Sequence, residues 1–390
     1  MTNDQRLTTL RASAQQVLED NILRFWQTRM VDCERGGFYG RIDGRNNLHP
    51  EADKGAVLNA RILWAFAAAY RVLHKPEYMT LATRAKDYLL AHFIDPEYGG
   101  VYWSLRADGT PLDTKKQTYA VAFAVYGLAE YVRATGDPEA LQTAIRLFET
   151  IEAHAFTDTG YIEALTHDWQ PIADMRLSDK DENGSRTMNT HLHVLEAYTN
   201  LYRVWPDQRV ERQLRTLIGI FTDHIYNPAN GHLDCFFDDN WNGRRDIISY
   251  GHDIEAAWLL NEALNVLGDD RLTAKVIPVT TRIALASVDG IRPDGSMVYE
   301  DKDESRQWWV LCEQVTGFID QWQITREPRY WDYAVNAFRY ILNNLIDREH
   351  GEWFWAVRQD GTLDNDNDKA GFWKCPYHNS RMCLELIERL

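Results

Sequence analysis

What this chain of 390 residues has little of narrows its possible functions first. Cysteine is scarce: the 5 residues at 33, 235, 312, 375 and 383 form no CxxC pair, so neither a zinc knuckle nor a disulfide framework is expected. They read as reduced core thiols. Basic residues fall short of balance, with 42 Lys and Arg against 58 Asp and Glu and a formal net charge of −16. Nucleic acid and anionic membrane surfaces are therefore disfavoured, and a small neutral ligand fits best. Long apolar runs are missing too. Ile62–Tyr70 is far below the ~20 residues of a membrane span. The opening MTNDQRLTTL has no signal-peptide core. A cytoplasmic protein without membrane partners is the expectation. No GxGxxG follows a strand, and GxxxxGK[ST], HExxH and GxSxG are absent, which removes the usual nicotinamide, nucleotide, zinc-protease and hydrolase signatures.

What is present is a repeat. With 45% hydrophobic and 26% charged residues the composition is that of a globular chain, read as a single domain over 1–390. A Gly–aromatic motif recurs as GGFYGRIDG (36–44), YGGVYWSLRADG (98–109), TGYIEALTHDW (159–169), NGHLDCFFDDNW (230–241), DGSMVYEDKD (294–303) and HGEWFWAVRQDG (350–361). Its glycines at 37, 100, 160, 231, 295 and 351 lie roughly a sixth of the chain apart. Apolar–polar alternation, often ending in Asp–Gly, predicts a short hairpin at each copy. Between copies the period becomes helical, over 56–73, 116–134, 138–154, 188–204, 252–267 and 330–346. Helix, turn, helix and hairpin, six times, predicts an all-α (α/α)6 barrel with short β-hairpins in its loops. An open solenoid would need polar end caps, and the last copy is among the most aromatic. The 14 Trp, 19 Tyr and 14 Phe suit a sugar in the central funnel, although most must pack inner helices against outer ones.

Polar residues inside the apolar helices are the candidates for chemistry. TMNTHLHVLEAY (187–198) sets Asn189 and His193 on one helical face, with His191 elsewhere. SYGHDIEAAWLL (249–260) sets His252 and Glu255 at i, i+3, close enough for the carboxylate to orient the imidazole. RQWWVLCEQV (306–315) sets Trp309 and Glu313 one turn apart. CPYHNSRMCLEL (375–386) starts a helix at Pro376, with His378 in its first turn and Arg381 one turn on. Arg61, inside LNARILWAF, must be paired with an inter-helix carboxylate or face a cavity. Each has a bland reading as a satisfied core group. A metal held by His193, His252, Glu255 and His378 is a minor alternative.

ARILW, TMNTHLH, SYGHDIEA, WWVLCE and WKCPYHNSRMCLE (373–385) together resemble the cellobiose 2-epimerase branch of the N-acylglucosamine 2-epimerase superfamily, over nearly the whole chain. The resemblance implies the same barrel and inversion at C2 of a reducing-end sugar without a cofactor. It implies that His252 and His378 are the acid/base pair and that His193 lies at the reacting sugar. Arg61, Tyr119, Asn189, Glu255, Trp258, Trp308, Trp309, Glu313 and Trp373 are implied to bind substrate or support it. Ser380 replaces a glycine of the family motif, WWVLCE replaces WWVQAE, and the acidic stretch from Glu300 to Trp308 is short. These departures lean the expected substrate towards free mannose and glucose rather than cellobiose or lactose.

The chemistry accounts for the inventory. A C2 proton is acidic only beside a C1 carbonyl, so the ring must open by acid–base catalysis. The enediolate then needs fixed donors, for which Arg61 is the candidate, and inversion needs a second group on the opposite face. No metal is called for. An aldose–ketose isomerase, an inverting glycosidase using Glu255 and Glu313, and a non-catalytic sugar-binding protein are the alternatives. The expected assembly is a monomer or weak homodimer.

Overall fold

The helical period becomes twelve helices in a computed structural model that describes residues 3–243 and 247–390. Met1 and Thr2 of the polar N-terminal segment lie outside them. The first six are α1 (Asn3–Val17, continued through Leu18–Leu23 and Arg24–Arg29), α2 (Ala56–Leu73), α3 (Pro76–Tyr88), α4 (Thr118–Thr135), α5 (Pro138–His154) and α6 (Met188–Val204). Then follow α7 (Gln208–Ile220), α8 (Tyr250–Leu267), α9 (Asp270–Ala286), α10 (Trp308–Thr325), α11 (Pro328–Asn344) and α12 (His378–Arg389). Odd numbers form an outer ring and even numbers an inner one. Each inner helix packs on the next and α12 returns to α2, so the ring closes and the open solenoid is excluded.

Residue choice separates the two rings. Every residue of α2 from Ala56 to Ala69 is buried, as a helix covered on all sides requires. This helix is long and apolar enough to cross a membrane by length and composition, a longer run than Ile62–Tyr70, yet 78% of it is buried as a barrel stave. Outer α11 instead buries one stripe: Tyr330, Ala334, Ala337, Phe338 and Ile341. Inner helices pass to outer ones through tight turns. His74, Gly136, Gly268 and Arg326 end α2, α4, α8 and α10 in the left-handed conformation, and Pro76, Pro138 and Pro328 start the next helix in three cases.

The return connections carry the Gly–aromatic motifs. All six motif glycines have positive φ, from 61° at Gly37 to 146° at Gly160. A Cβ on Gly37 would also stand 2.6 Å from the Tyr88 ring. Two-residue strands before α2, α4, α6 and α10 stitch those repeats to the next. Lys54–Gly55 pairs with Ser104–Leu105, Lys116–Gln117 with Ala164–Leu165, and Arg186–Thr187 with Phe236–Phe237. Arg306–Gln307 pairs with Ala356–Val357, and a bridge between Ile42 and Ala370 joins the last repeat to the first. Buried lysines lock the turns: Lys54 reaches Asp32 at 2.9 Å, Lys116 reaches Asp95 at 2.5 Å, and Lys369 pairs with Asp347. Cys235, Cys312, Cys375 and Cys383 are buried and outside any disulfide among the described residues, but Cys33 is exposed beside its hairpin turn and is no core thiol.

This topology decides where a site can form. Every inner helix begins at the hairpin end, so six N-terminal turns, with their positive dipole ends, converge there.

Candidate active site

Towards the hairpin end, α6, α8 and α10 each present a carboxyl group to Arg381 of α12. Its guanidinium is fully buried and donates to three carboxylates from three helices. It reaches Glu255 Oε1 at 2.6 Å, Glu313 Oε1 at 2.7 Å, and Glu196, which also accepts from the Tyr377 hydroxyl at 2.5 Å. Trp258 donates its indole N–H to Glu313 Oε2 at 2.9 Å. Burial and the neighbouring Glu313 push the Glu255 carboxyl up to about 8, while burial of Glu196 is outweighed by Arg381, His193 and Tyr377, which hold it down at about 2. Glu255 Oε2 has no partner, and burial beside Glu313 favours the uncharged form of Glu255.

This cluster stands behind two imidazoles. His378 Nδ1 lies 2.6 Å from Glu313 Oε1, and His193 Nδ1 lies 2.8 Å from Glu196 Oε2. A carboxylate can only accept, so both Nδ1 atoms carry hydrogen and each Nε2 keeps its lone pair. Burial holds His193 down at about 4 and His378 well below the ordinary histidine value, with Arg61 and Arg381 adding to the latter. Both are neutral bases at neutral pH.

His252 is held differently. The sequence spacing pairs it with Glu255, and the structure does not. Helical side chains lean towards the N-terminus, so His252 turns back to Ser249, whose Oγ is 2.7 Å from Nδ1, while Glu255 turns to the charge of Arg381. Burial brings His252 down to about 3. The Trp309 ring stands between the two histidines, 4.7 Å from His252 and 5.6 Å from His378 by centroids.

Arg61 has no carboxylate partner among the described residues, which excludes the inter-helix salt bridge there. Nη2 donates to the Tyr119 hydroxyl at 2.8 Å, Nη1 lies 3.8 Å from Cys375 Sγ, and Nε has no partner. The guanidinium lies 4.2 Å and 4.5 Å from the ring centroids of Phe123 and Tyr377. Burial opposes its charge but is outweighed by Tyr119, Cys375 and Tyr377, so it remains protonated. Tyr119 packs on His193 at 5.0 Å and on Trp373 at 6.2 Å, tying Arg61 to that part of the site.

A cleft of about 430 Å³ opens beside His252, and Asn189 and Ser249 line it with Glu163, Arg176, Tyr299 and Glu300. The Asn189 Oδ1 atom is buried without a partner, as a ligand-binding amide would be. Of the predicted residues, Asn189 and His252 line this cleft, and Trp308 and Trp258 lie behind the site. Trp308 packs on Trp355 at 4.5 Å with Lys374 Nζ 5.1 Å from its ring, because consecutive helical residues diverge and Trp309 holds the inward position. Trp258 is buried beneath the carboxylates with Arg381 4.8 Å from its ring, so it braces the cluster. Ser380 is wholly buried on α12, with an unpartnered hydroxyl.

The four-residue metal set does not assemble; Glu255, Glu313 and His378 do, with ligand atoms within 4.8 Å of one another. Both Oε1 atoms there already accept from Arg381, so the guanidinium supplies the positive charge a metal would bring. Glu196, Ser249 and Tyr377 are the site groups that sequence spacing passed over; Arg381 was placed one turn after His378 but given no partner. Glu196, three residues after His193 in an apolar helix, was the available signal.

Proton-carrying groups held neutral around an uncompensated guanidinium, in a closed helical barrel, define an acid–base enzyme. Residues 37–381 match the N-acylglucosamine 2-epimerase family model. The chain is 54% identical over 386 residues to the cellobiose 2-epimerase of Bacteroides fragilis, covering 97% of this chain and 98% of that one. It is 41% identical over 379 residues to the cellobiose 2-epimerase of Ruminococcus albus, covering 96% and 97%. The structure of cellobiose 2-epimerase from Bacillus thermoamylovorans superposes with a TM-score of 0.94 at 40% identity, covering 98% of this chain and 100% of that one. A D-mannose isomerase, at 19% identity and TM-score 0.85, shares the fold, covering 98% of each chain. The chain belongs to the N-acylglucosamine 2-epimerase family. It is a carbohydrate epimerase of the (α/α)6 class.

Proposed function

We propose that the protein inverts C2 of glucose- and mannose-configured reducing ends through an enediolate, and that β-1,4-linked disaccharides such as cellobiose are its better substrates. The observation that carries the chemistry is the set of imidazoles whose Nδ1 atoms are all engaged, at His378, His193 and His252, grouped with the unpaired charge of Arg61. After ring opening, one Nε2 removes the C2 proton. Arg61 and the converging helix N-termini stabilise the enediolate, and a second imidazole, which takes up a proton from solvent before the step, returns it to the other face; exchange with solvent then resets the pair. His252 and His378 are the pair; His193, beside Tyr119, serves ring opening.

The cleft supports the disaccharide. Its volume falls within the ~300–1,000 Å³ of small-molecule sites. Glu300 and Asp303, from the stretch whose shortness favours monosaccharides in the sequence, line it together with Tyr299. The inverting-glycosidase reading has little support: inverting carboxylates stand ~6.5–9.5 Å apart with water between. Glu255 and Glu313 share one guanidinium instead.

A kcat/KM series with cellobiose, lactose, mannose and glucose, with products resolved by chromatography, tests both parts. Cellobiose should exceed mannose and give the intact C2 epimer. Mannose turned over at least as well would return the substrate to the monosaccharide. Fructose or free glucose as the main product would overturn the epimerase mechanism.

A further inference from the structure

Ser249 occupies the N-cap position of α8, where a serine ordinarily accepts from a backbone N–H one turn on. Thr187 does this at the start of α6, accepting from Thr190 N at 3.0 Å. Ser249 does not: its side chain makes no cap bond, and its Oγ lies 2.7 Å from His252 Nδ1 instead. It is nearly buried, and it lines the same cleft as His252. The helix forgoes a favourable capping contact at the residue placed behind a candidate base.

We propose that Ser249 is the positioning residue of His252 and makes it an unequal partner of His378. A histidine that removes a proton through Nε2 must carry hydrogen on Nδ1, and so must its imidazolium form. In both states the Ser249 oxygen is the acceptor. It thereby fixes the tautomer and the ring, as Glu313 does for His378. The two acceptors differ in charge. Glu313 is a carboxylate and stabilises an imidazolium; the hydroxyl is neutral and does so far less. Arg61 and Arg381 oppose the carboxylate at His378, so what sets His252 apart is that a single neutral hydroxyl, and no ion network, holds its ring. The other groups near the His252 ring are Trp309, at 4.7 Å, and the titratable His193 and Glu313.

The proposal rests on His252 exchanging the C2 proton, and its test separates the two. Ser249→Ala, Ser249→Thr and His252→Ala are compared for kcat and KM in both directions, with C2-deuterated substrates of each configuration. Ser249→Ala should lower kcat at least tenfold, change KM less than threefold, and raise the deuterium isotope effect for one C2 configuration only. Ser249→Thr should recover kcat to within about threefold. Should Ser249→Ala lose its helical spectrum, Ser249→Cys, isosteric with a poor acceptor, is measured in the same way. An inactive His252→Ala beside an unimpaired Ser249→Ala, or equal isotope effects for the two configurations, would overturn the role of Ser249. An active His252→Ala would instead overturn the assignment of the acid/base pair.

Discussion

The two sides of Trp309 solve one problem with different chemistry. On the α12 side, His378 backs onto Glu313, and three carboxyl groups, Glu313 among them, are buried around Arg381. On the α8 side, His252 backs onto a hydroxyl and opens to the cleft. The α12 side spends a dense ion network on holding one ring. The α8 side holds its ring with one neutral hydrogen bond. A buried ion network is a poor source of net stability, since desolvation offsets most of its Coulomb gain, so its value here is in placing groups.

The largest effects should come from removing the rings. His252→Ala and His378→Ala are each expected to lower kcat/KM by ~10²–10⁴ with unchanged circular dichroism. A variant retaining a tenth of the activity would show that its side of Trp309 is dispensable. Arg381→Met should break the comparison at its other pole. It leaves Glu196, Glu255 and Glu313 buried without their cation, a loss of about 3–5 kcal/mol in urea unfolding. The same measurement finding under ~1 kcal/mol would mean that the three carboxylates are protonated without Arg381.

Smaller effects follow from pH. His193 and His252 are held at about 4 and about 3, and unfolding returns them to the ordinary value near ~6.5. The unfolded chain thus binds more protons across that window. The stability involved is complete above about pH 6.5 and is lost as pH falls towards 4 and then 3. Glu255 has the opposite sign: raised to about 8 from 4.5, it favours the folded state below pH 4.5, and that contribution is lost as pH rises through 8. Urea midpoints between pH 4 and 9 should fall at both ends, with Glu255→Gln flattening the alkaline fall alone. The least effect is expected from exhaustive EDTA treatment, because Arg381 already occupies the Oε1 atoms of Glu255 and Glu313. Lost activity restored by a divalent ion would place a cation there after all.

Much of the fold is legible because its causes are local. Helical period, left-handed glycines and proline starts act within a few residues, and six copies average out the exceptions. Boundaries shift by about two residues, as at 116–134 against Thr118–Thr135. Candidate residues were found where a polar group interrupts an apolar helix, as at Arg61, His193 and His252. Their partners were not. The sequence offered Glu255 to His252 by spacing, but side-chain lean and the pull of Arg381 chose otherwise.

The sequence by itself determined the repeat, the alternation of buried and striped helices, and the hairpin-end position of the polar residues, all consequences of backbone period and hydrophobic burial. Only the tertiary structure decided that Arg381 binds a carboxylate 185 positions away, that Trp309 rather than Trp308 stands between the two histidines, and that Glu313 rather than Glu255 supports His378. Hydrogen bonds and charges act over a few ångströms in space, and ring closure sets which helices come that close.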